Sequence, residues 1–111
     1  MSWTPLCLNT ELTEKTAKSY QFENVSYFII KNEGLVYAYL NACPHRKIEL
    51  EWQENAFFDS SKDYLQCATH GALFLPHNGY CITGPCIQKS LTSIETKLIE
   101  GRIHINLANI Q

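Results

Sequence analysis

Two short clusters of metal-ligating residues dominate the chain: Cys43-Pro44-His45 and Cys67-Ala68-Thr69-His70, with twenty-one residues between His45 and Cys67. The first reads C-x-H and the second C-x-x-H. A thiolate and an imidazole this close in sequence let one loop bring two donors to one metal centre. Structural zinc uses the same Cys₂His₂ set, but its usual spacing pairs C-x₂₋₄-C with H-x₃₋₅-H. Here each loop contributes one ligand of each kind. That pattern favours an iron–sulfur centre, with structural zinc as the alternative.

The elements that must hold these loops read as short strands broken by turn residues. Val25-Ser26-Tyr27-Phe28-Ile29-Ile30 is rich in β-branched and aromatic residues, Asn32-Glu33-Gly34 is a hairpin signal, and Leu35-Val36-Tyr37-Ala38-Tyr39-Leu40 returns as its partner. Ala56-Phe57-Phe58 and Tyr64-Leu65-Gln66 flank Asp59–Asp63 as a second hairpin. Asn78-Gly79 separates Ala72–Leu75 from Tyr80-Cys81-Ile82 as a third. Leu91–Leu98, a turn at Glu100-Gly101 and alternating Arg102–Leu107 complete the set. Thr13–Lys18 offers at most a short helical turn, since no apolar stripe at helical spacing supports it. Each ligand cluster follows the end of a predicted strand. The class is all-β, a small sandwich or partly closed barrel of antiparallel hairpins.

The two spaced motifs, together with Asn41-Ala42 before the first, Gly71-Ala72 after the second, and Gly84-Pro85, resemble the Rieske family over roughly Val25 to Leu107. The resemblance implies a single domain over residues 1–111. It would comprise a base from 1–41 and 88–111 and an inserted cluster-binding subdomain at about 42–87. It implies one [2Fe–2S] cluster per subunit, with Cys43 and Cys67 on one iron and His45 and His70 on the other. Gly84 and Pro85 would belong to a loop shielding the cluster from water. Two neutral imidazoles in place of two thiolates make the cluster less negative, which raises its potential and eases uptake of one electron. The ring nitrogens left over on His45 and His70 can couple that uptake to a proton.

Subtype follows from what is missing. High-potential members of the family carry an extra cysteine in each loop, where this chain has Ile48 and Thr69. They also place serine and tyrosine hydroxyls near the cluster sulfurs, where it has Ala72 and Phe74. Fewer donors to the sulfurs imply a low potential. Only forty-one residues follow His70, too few for the mononuclear-iron domain of a terminal oxygenase. The resemblance therefore implies a soluble ferredoxin, an electron-transfer component rather than an enzyme by itself. Its partners would be a flavin reductase and a terminal oxygenase or similar acceptor. The alternative is a non-catalytic small Rieske-like subunit of a larger redox complex such as nitrite reductase, whose members typically lack the ligands. The family commonly has glycine where this chain has Lys47. With Arg46, Lys47 offers a cationic docking face for an acidic partner.

Other notable residues have ordinary readings. Cys81 and Cys86 bracket the Gly84-Pro85 turn and are expected as reduced thiols rather than a disulfide. Cys7 reads as a core thiol, His77 as an exposed turn residue, and His104 as pointing away from the core. Trp3 and the tyrosines read as packing residues, and Trp52 likewise.

Composition is consistent with this picture: 45% hydrophobic residues, 18% charged residues and a net charge of −2 over 111 residues describe a globular domain rather than a disordered one. No basic run supports nucleic-acid binding. No apolar stretch approaches the ~18–20 residues of a membrane span. The first residues lack a secretory pattern, and five cysteines without an export signal suit metal or redox chemistry in the cytosol.

Overall fold

The computed structural model describes residues 3–22, 25–42, 57–67, 71–84 and 89–106. Within them the chain is all-β. Its strands are β1 (Trp3–Leu8), β2 (Ala17–Phe22), β3 (Val25–Asn32), β4 (Leu35–Leu40), β5 (Leu65–Gln66), β6 (Leu73–Phe74), β7 (Cys81–Thr83), β8 (Ser93–Ile99) and β9 (Arg102–Asn106), with one 3₁₀ turn at Asn9–Glu11. Six form an antiparallel sheet in the order β1-β9-β8-β4-β3-β2, and β5, β6 and β7 form a separate three-stranded sheet. No helix among the described residues is long and apolar enough to cross a membrane.

Strand β3 explains the architecture. An antiparallel strand with one wet face alternates apolar and polar residues, but Tyr27, Phe28, Ile29 and Ile30 are all buried. Both faces are therefore covered. Phe28 and Ile30 join Tyr39 of β4 in a cluster with Phe57, Leu65, Phe74 and Cys81, which belong to the small sheet and its approach. Tyr27 and Ile29 join Ala38 in a second cluster with Cys7, Leu12, Ile94, Ile103 and Ile105. The large sheet curls around the second cluster and carries the small sheet on the first.

The hairpins form at the turns the sequence marks. Asn32 pairs with Leu35 and Ile99 with Arg102, leaving two-residue turns. Both residues of each turn have positive φ: 54° and 80° at Glu33-Gly34, 51° and 79° at Glu100-Gly101. That is the type I′ geometry that matches strand twist. The Glu14 carboxylate accepts the backbone N–H groups of both Glu33 and Gly34, which holds its pKa below the ordinary 4.5. At Phe57–Gln66 the expected hairpin reduces to a bridge between Phe58 and Leu65, extended by the Gln66 N–H donating to the Phe57 carbonyl at 2.8 Å.

Thr13–Lys18 is not a helical turn. The Lys15 N–H donates across to the Lys31 carbonyl at 2.8 Å, the Thr16 hydroxyl bonds back to the Thr13 carbonyl at 2.6 Å, and Lys15 has φ of 63°. These bonds close a tight turn that delivers Ala17 straight into β2. Strands β1 and β2 lack a clear sequence signal and both sit at sheet edges. Pro5 is tolerated in β1 because an edge strand needs N–H donors on one side only, and the pairing with β9 is irregular between Pro5 and Leu8.

Candidate metal centre

Of the four expected ligands, Cys67 lies among the described residues. Cys43, His45 and His70 lie outside them, as do Arg46, Lys47, Pro85 and Cys86. The backbone leading to the first motif is tied down. The Leu40 N–H donates to the Thr92 carbonyl at 2.8 Å and the Asn41 N–H to the Ser26 carbonyl at 2.8 Å. The Asn41 side-chain amide also reaches the Ser26 hydroxyl at 3.3 Å. The Ala42 N–H then donates to the Leu40 carbonyl at 2.9 Å, a tight γ-type turn immediately before Cys43.

The second motif opens at Cys67, directly after β5. Its N–H donates to the Ala72 carbonyl at 2.9 Å, and its carbonyl accepts the Gly71 N–H at 2.7 Å. These two bonds close the neck of the segment that includes His70. Gly71 has φ of 72°, a left-handed conformation that glycine adopts at little cost. The Cys67 side chain is wholly buried. A thiol in apolar surroundings is inert unless a cation stabilises its thiolate. A soft metal centre would supply that charge, so the donor and its setting fit an iron–sulfur cluster or zinc.

Gly84 closes over this neck. Its φ is 105°, and a Cβ placed on it would lie 2.7 Å from Ala72 Cα and 3.0 Å from Ala72 Cβ. The residue before Pro85 therefore packs backbone against backbone on the residue that bonds Cys67. Ala72 and Phe74 are themselves wholly buried and bring no hydroxyl.

The small sheet is fixed to the large one by side chains that looked like plain packing residues in the sequence. The Tyr39 hydroxyl donates to the Pro76 carbonyl at 2.6 Å, in the turn between β6 and β7. Burial pushes its pKa above the usual phenol range, keeping the hydroxyl protonated as a donor. Gly79 lies under the same ring, where an added Cβ would sit 2.9 Å from Tyr39 Cε1. The Leu91 N–H donates to the Gly79 carbonyl at 2.9 Å, and the Cys81 N–H to the Lys89 carbonyl at 2.8 Å. Phe57 stacks on Phe28 at 4.0 Å between ring centroids.

Of the remaining residues singled out in the sequence, Trp52 and Cys86 lie outside the described residues. Cys81 is buried, with its Sγ donating to the Thr83 carbonyl at 3.2 Å, and Cys7 is a buried thiol. His77 is exposed in its turn. His104 is half-buried, with Nδ1 3.0 Å from the Arg102 carbonyl. Trp3 carries the Lys97 ammonium 5.2 Å from its ring centroid. Among the described residues no group of three or more His, Cys, Asp or Glu is placed to hold a metal ion.

The model of the Rieske [2Fe-2S] domain matches residues 2–103. No curated protein matches the sequence. Among solved structures, the ferredoxin of carbazole 1,9a-dioxygenase from Nocardioides aromaticivorans IC177 aligns over 96% of this chain and 98% of its own, with 15% identity and a TM-score of 0.76. A chain from a complex of reduced oxygenase and oxidised ferredoxin in carbazole 1,9a-dioxygenase aligns over 94% of this chain and 92% of its own, with 20% identity and a TM-score of 0.77. The terminal oxygenase of carbazole 1,9a-dioxygenase from Novosphingobium sp. KA1 covers 99% of this chain with 20% identity and a TM-score of 0.77, but this chain spans only 31% of that oxygenase. At these identities the likeness is one of fold.

Proposed function

The chain belongs to the Rieske [2Fe–2S] domain family, and from that premise we propose that it is a small, low-potential ferredoxin. It would carry single electrons from a reductase to an oxygenase or similar acceptor. A domain of this family carries one Rieske-type cluster. Cys43 and Cys67 would hold one iron and His45 and His70 the other. When bound, the cluster takes up and releases one electron. The base would be 1–41 and 88–111, with the cluster-binding part at about 42–87.

The observation that carries the reading is the complete four-ligand set inside the matched domain, with Cys67 buried at a hydrogen-bonded neck. The chain's own residues have separable tasks. Gly71 and Ala72 close that neck. Gly84, ahead of Pro85, lies against Ala72 and excludes water from that side. Tyr39 ties the turn beside β6 to the large sheet. The buried, hydroxyl-free side chains of Ala72 and Phe74 support a potential near the low end, about −150 mV, of a family range of roughly −150 to +300 mV. The likeness to a ferredoxin of nearly equal length, and to a chain from an oxygenase–ferredoxin complex, supports an oxygenase as acceptor. Arg46 and Lys47 would present the docking charge. The Cys7 thiol suits a reducing compartment such as the cytosol.

The test is anaerobic purification followed by EPR and a redox titration. A red-brown protein, a low average g on reduction and a negative midpoint at neutral pH are expected. A colourless, zinc-loaded protein would replace the cluster assignment, and a clearly positive midpoint would remove the low-potential one.

A further inference from the structure

Strand β4 ends at Leu40, but its pairing with β3 runs one residue further. Tyr27 pairs with Leu40, and the Asn41 N–H donates to the Ser26 carbonyl at 2.8 Å, so Asn41 stands opposite Ser26. The Asn41 side-chain amide donates to the Ser26 hydroxyl at 3.3 Å. Asn41 is 5% exposed, and Asn32 and Asn41 are the buried polar side chains among the described residues.

Packing alone does not call for a carboxamide at this place. Alternation along the strands puts Ser26 and Asn41 on the same face as Phe28 and Tyr39. Those two residues pair directly, with ring centroids 5.8 Å apart, in the core shared with the small sheet. An apolar pair would extend that row, whereas a buried amide costs free energy that hydrogen bonding merely offsets. What the amide adds is direction. A backbone bond by itself lets the peptide plane pivot about its N···O line, and a second bond to another atom of Ser26 stops that rotation.

The restraint falls where the chain leaves the sheet. Leu40, Asn41 and Ala42 donate their N–H groups to the carbonyls of Thr92, Ser26 and Leu40, at 2.8, 2.8 and 2.9 Å. Three consecutive amides are thus tied, and the next residue is Cys43.

We propose that Asn41 is a positioning residue for the first ligand motif: bonded twice to Ser26, it sets the direction in which the chain passes through Ala42 to Cys43. The proposal rests on the four-ligand reading, in which Cys43 serves one iron and His45 the other. A turn of the entering backbone would then disturb a ligand of each iron at once, and outer contacts that orient ligands tune a metal centre.

The test uses the full, cluster-loaded chain with Asn41→Ala, Ser26→Ala, the two combined, and Ser26→Thr. Asn41→Ala and Ser26→Ala should shift the midpoint potential and the principal g values of the reduced protein in the same direction. The combined variant should add nothing, since each change breaks the same bond. Ser26→Thr, which keeps the hydroxyl, should match wild type. Glu14→Gln loosens the hairpin at the other end of β4 and should lower stability without moving either reading. Hydrogen exchange followed by mass spectrometry reads the tie itself: the Asn41 and Ala42 amides should exchange about tenfold faster in Ser26→Ala.

Variants that merely melt earlier, with g values and potential as in wild type, would overturn the proposal. So would unchanged exchange, or a shift in Asn41→Ala without one in Ser26→Ala, which would detach the amide from the hydroxyl. Should Asn41→Ala not fold, Ser26→Ala at its half-buried site decides alone. A colourless, zinc-loaded wild type would end the cluster reading instead. Release of that zinc to a chelator about tenfold faster in Ser26→Ala would then uphold the role of Asn41, and equal rates would overturn it.

Discussion

Gly84 and Ala72 meet backbone to backbone: a single added methyl on Gly84 would stand 2.7 Å from the Ala72 Cα. Because Ala72 also accepts the Cys67 N–H, the three residues form one contact chain from the outer turn to Cys67.

Gly84→Ala should therefore cost more than conformational strain alone. A non-glycine residue held at positive φ costs about 1–3 kcal/mol, and here the new methyl must also displace backbone. Gly101→Ala serves as the control, since that site has φ of 79° but nothing within 4 Å of its added Cβ. Thermal melts should show the larger drop for Gly84→Ala, together with faster bleaching of the visible band. Equal drops would mean that the contact is soft.

Tyr39→Phe keeps the ring and removes the donor to Pro76. The Pro76 carbonyl would lose that buried partner, at a cost of about 1–3 kcal/mol. For a chain of this size that lowers the melting temperature by several degrees. Urea unfolding of wild type and variant measures the difference directly, and coincident midpoints would rule out a role for the hydroxyl.

Cys67→Ser and Cys81→Ser separate the proposed ligand from a core thiol. Both cysteines are fully buried, so burial alone predicts similar outcomes. Under the proposed coordination, Cys67→Ser yields a colourless protein without stoichiometric iron, whereas Cys81→Ser retains iron and sulfide at the wild-type level. Iron and sulfide analysis of the two preparations decides the matter, and retention of the cluster in Cys67→Ser would remove that residue from the ligand set.

Glu14 gives the fold a dependence on acid. Its carboxylate is stabilised in the folded chain by the Gly34 and Glu33 N–H groups, so its folded pKa lies below the ordinary 4.5. A depressed carboxylate contributes fully above its unfolded pKa and loses that contribution as the pH falls through the folded value. The melting temperature of wild type should exceed that of Glu14→Gln near neutrality, and the two should converge in strong acid. A gap independent of pH would show that the turn does not need the charge.

Much of the scaffold was legible because burial on both faces writes a continuous apolar run, as at Tyr27–Ile30, and because Glu33-Gly34 and Glu100-Gly101 mark tight turns. The edge strands were not, since Pro5 interrupts one and Lys18, Ser19 and Gln21 dilute the other. The thirteenth to eighteenth residues looked weakly helical because local sequence does not announce that Lys15 will bond to Lys31. The two Cys/His motifs stand out in the sequence by residue type and spacing, and of their four expected ligands Cys67 lies among the described residues. The link from Tyr39 to Pro76 had no local signature: it joins residues 37 positions apart, and either alone reads as filler.

Ala38 and Tyr39 are adjacent in β4 yet serve opposite interiors, a methyl in one and a phenol ring in the other. A slip of β4 by one position would force the ring into the space of the methyl and leave a void where the ring had been. The strand thus has a single permitted phase. The azimuth at which β4 ends and hands the chain on to Asn41 and Ala42 is set by this mismatch of sizes.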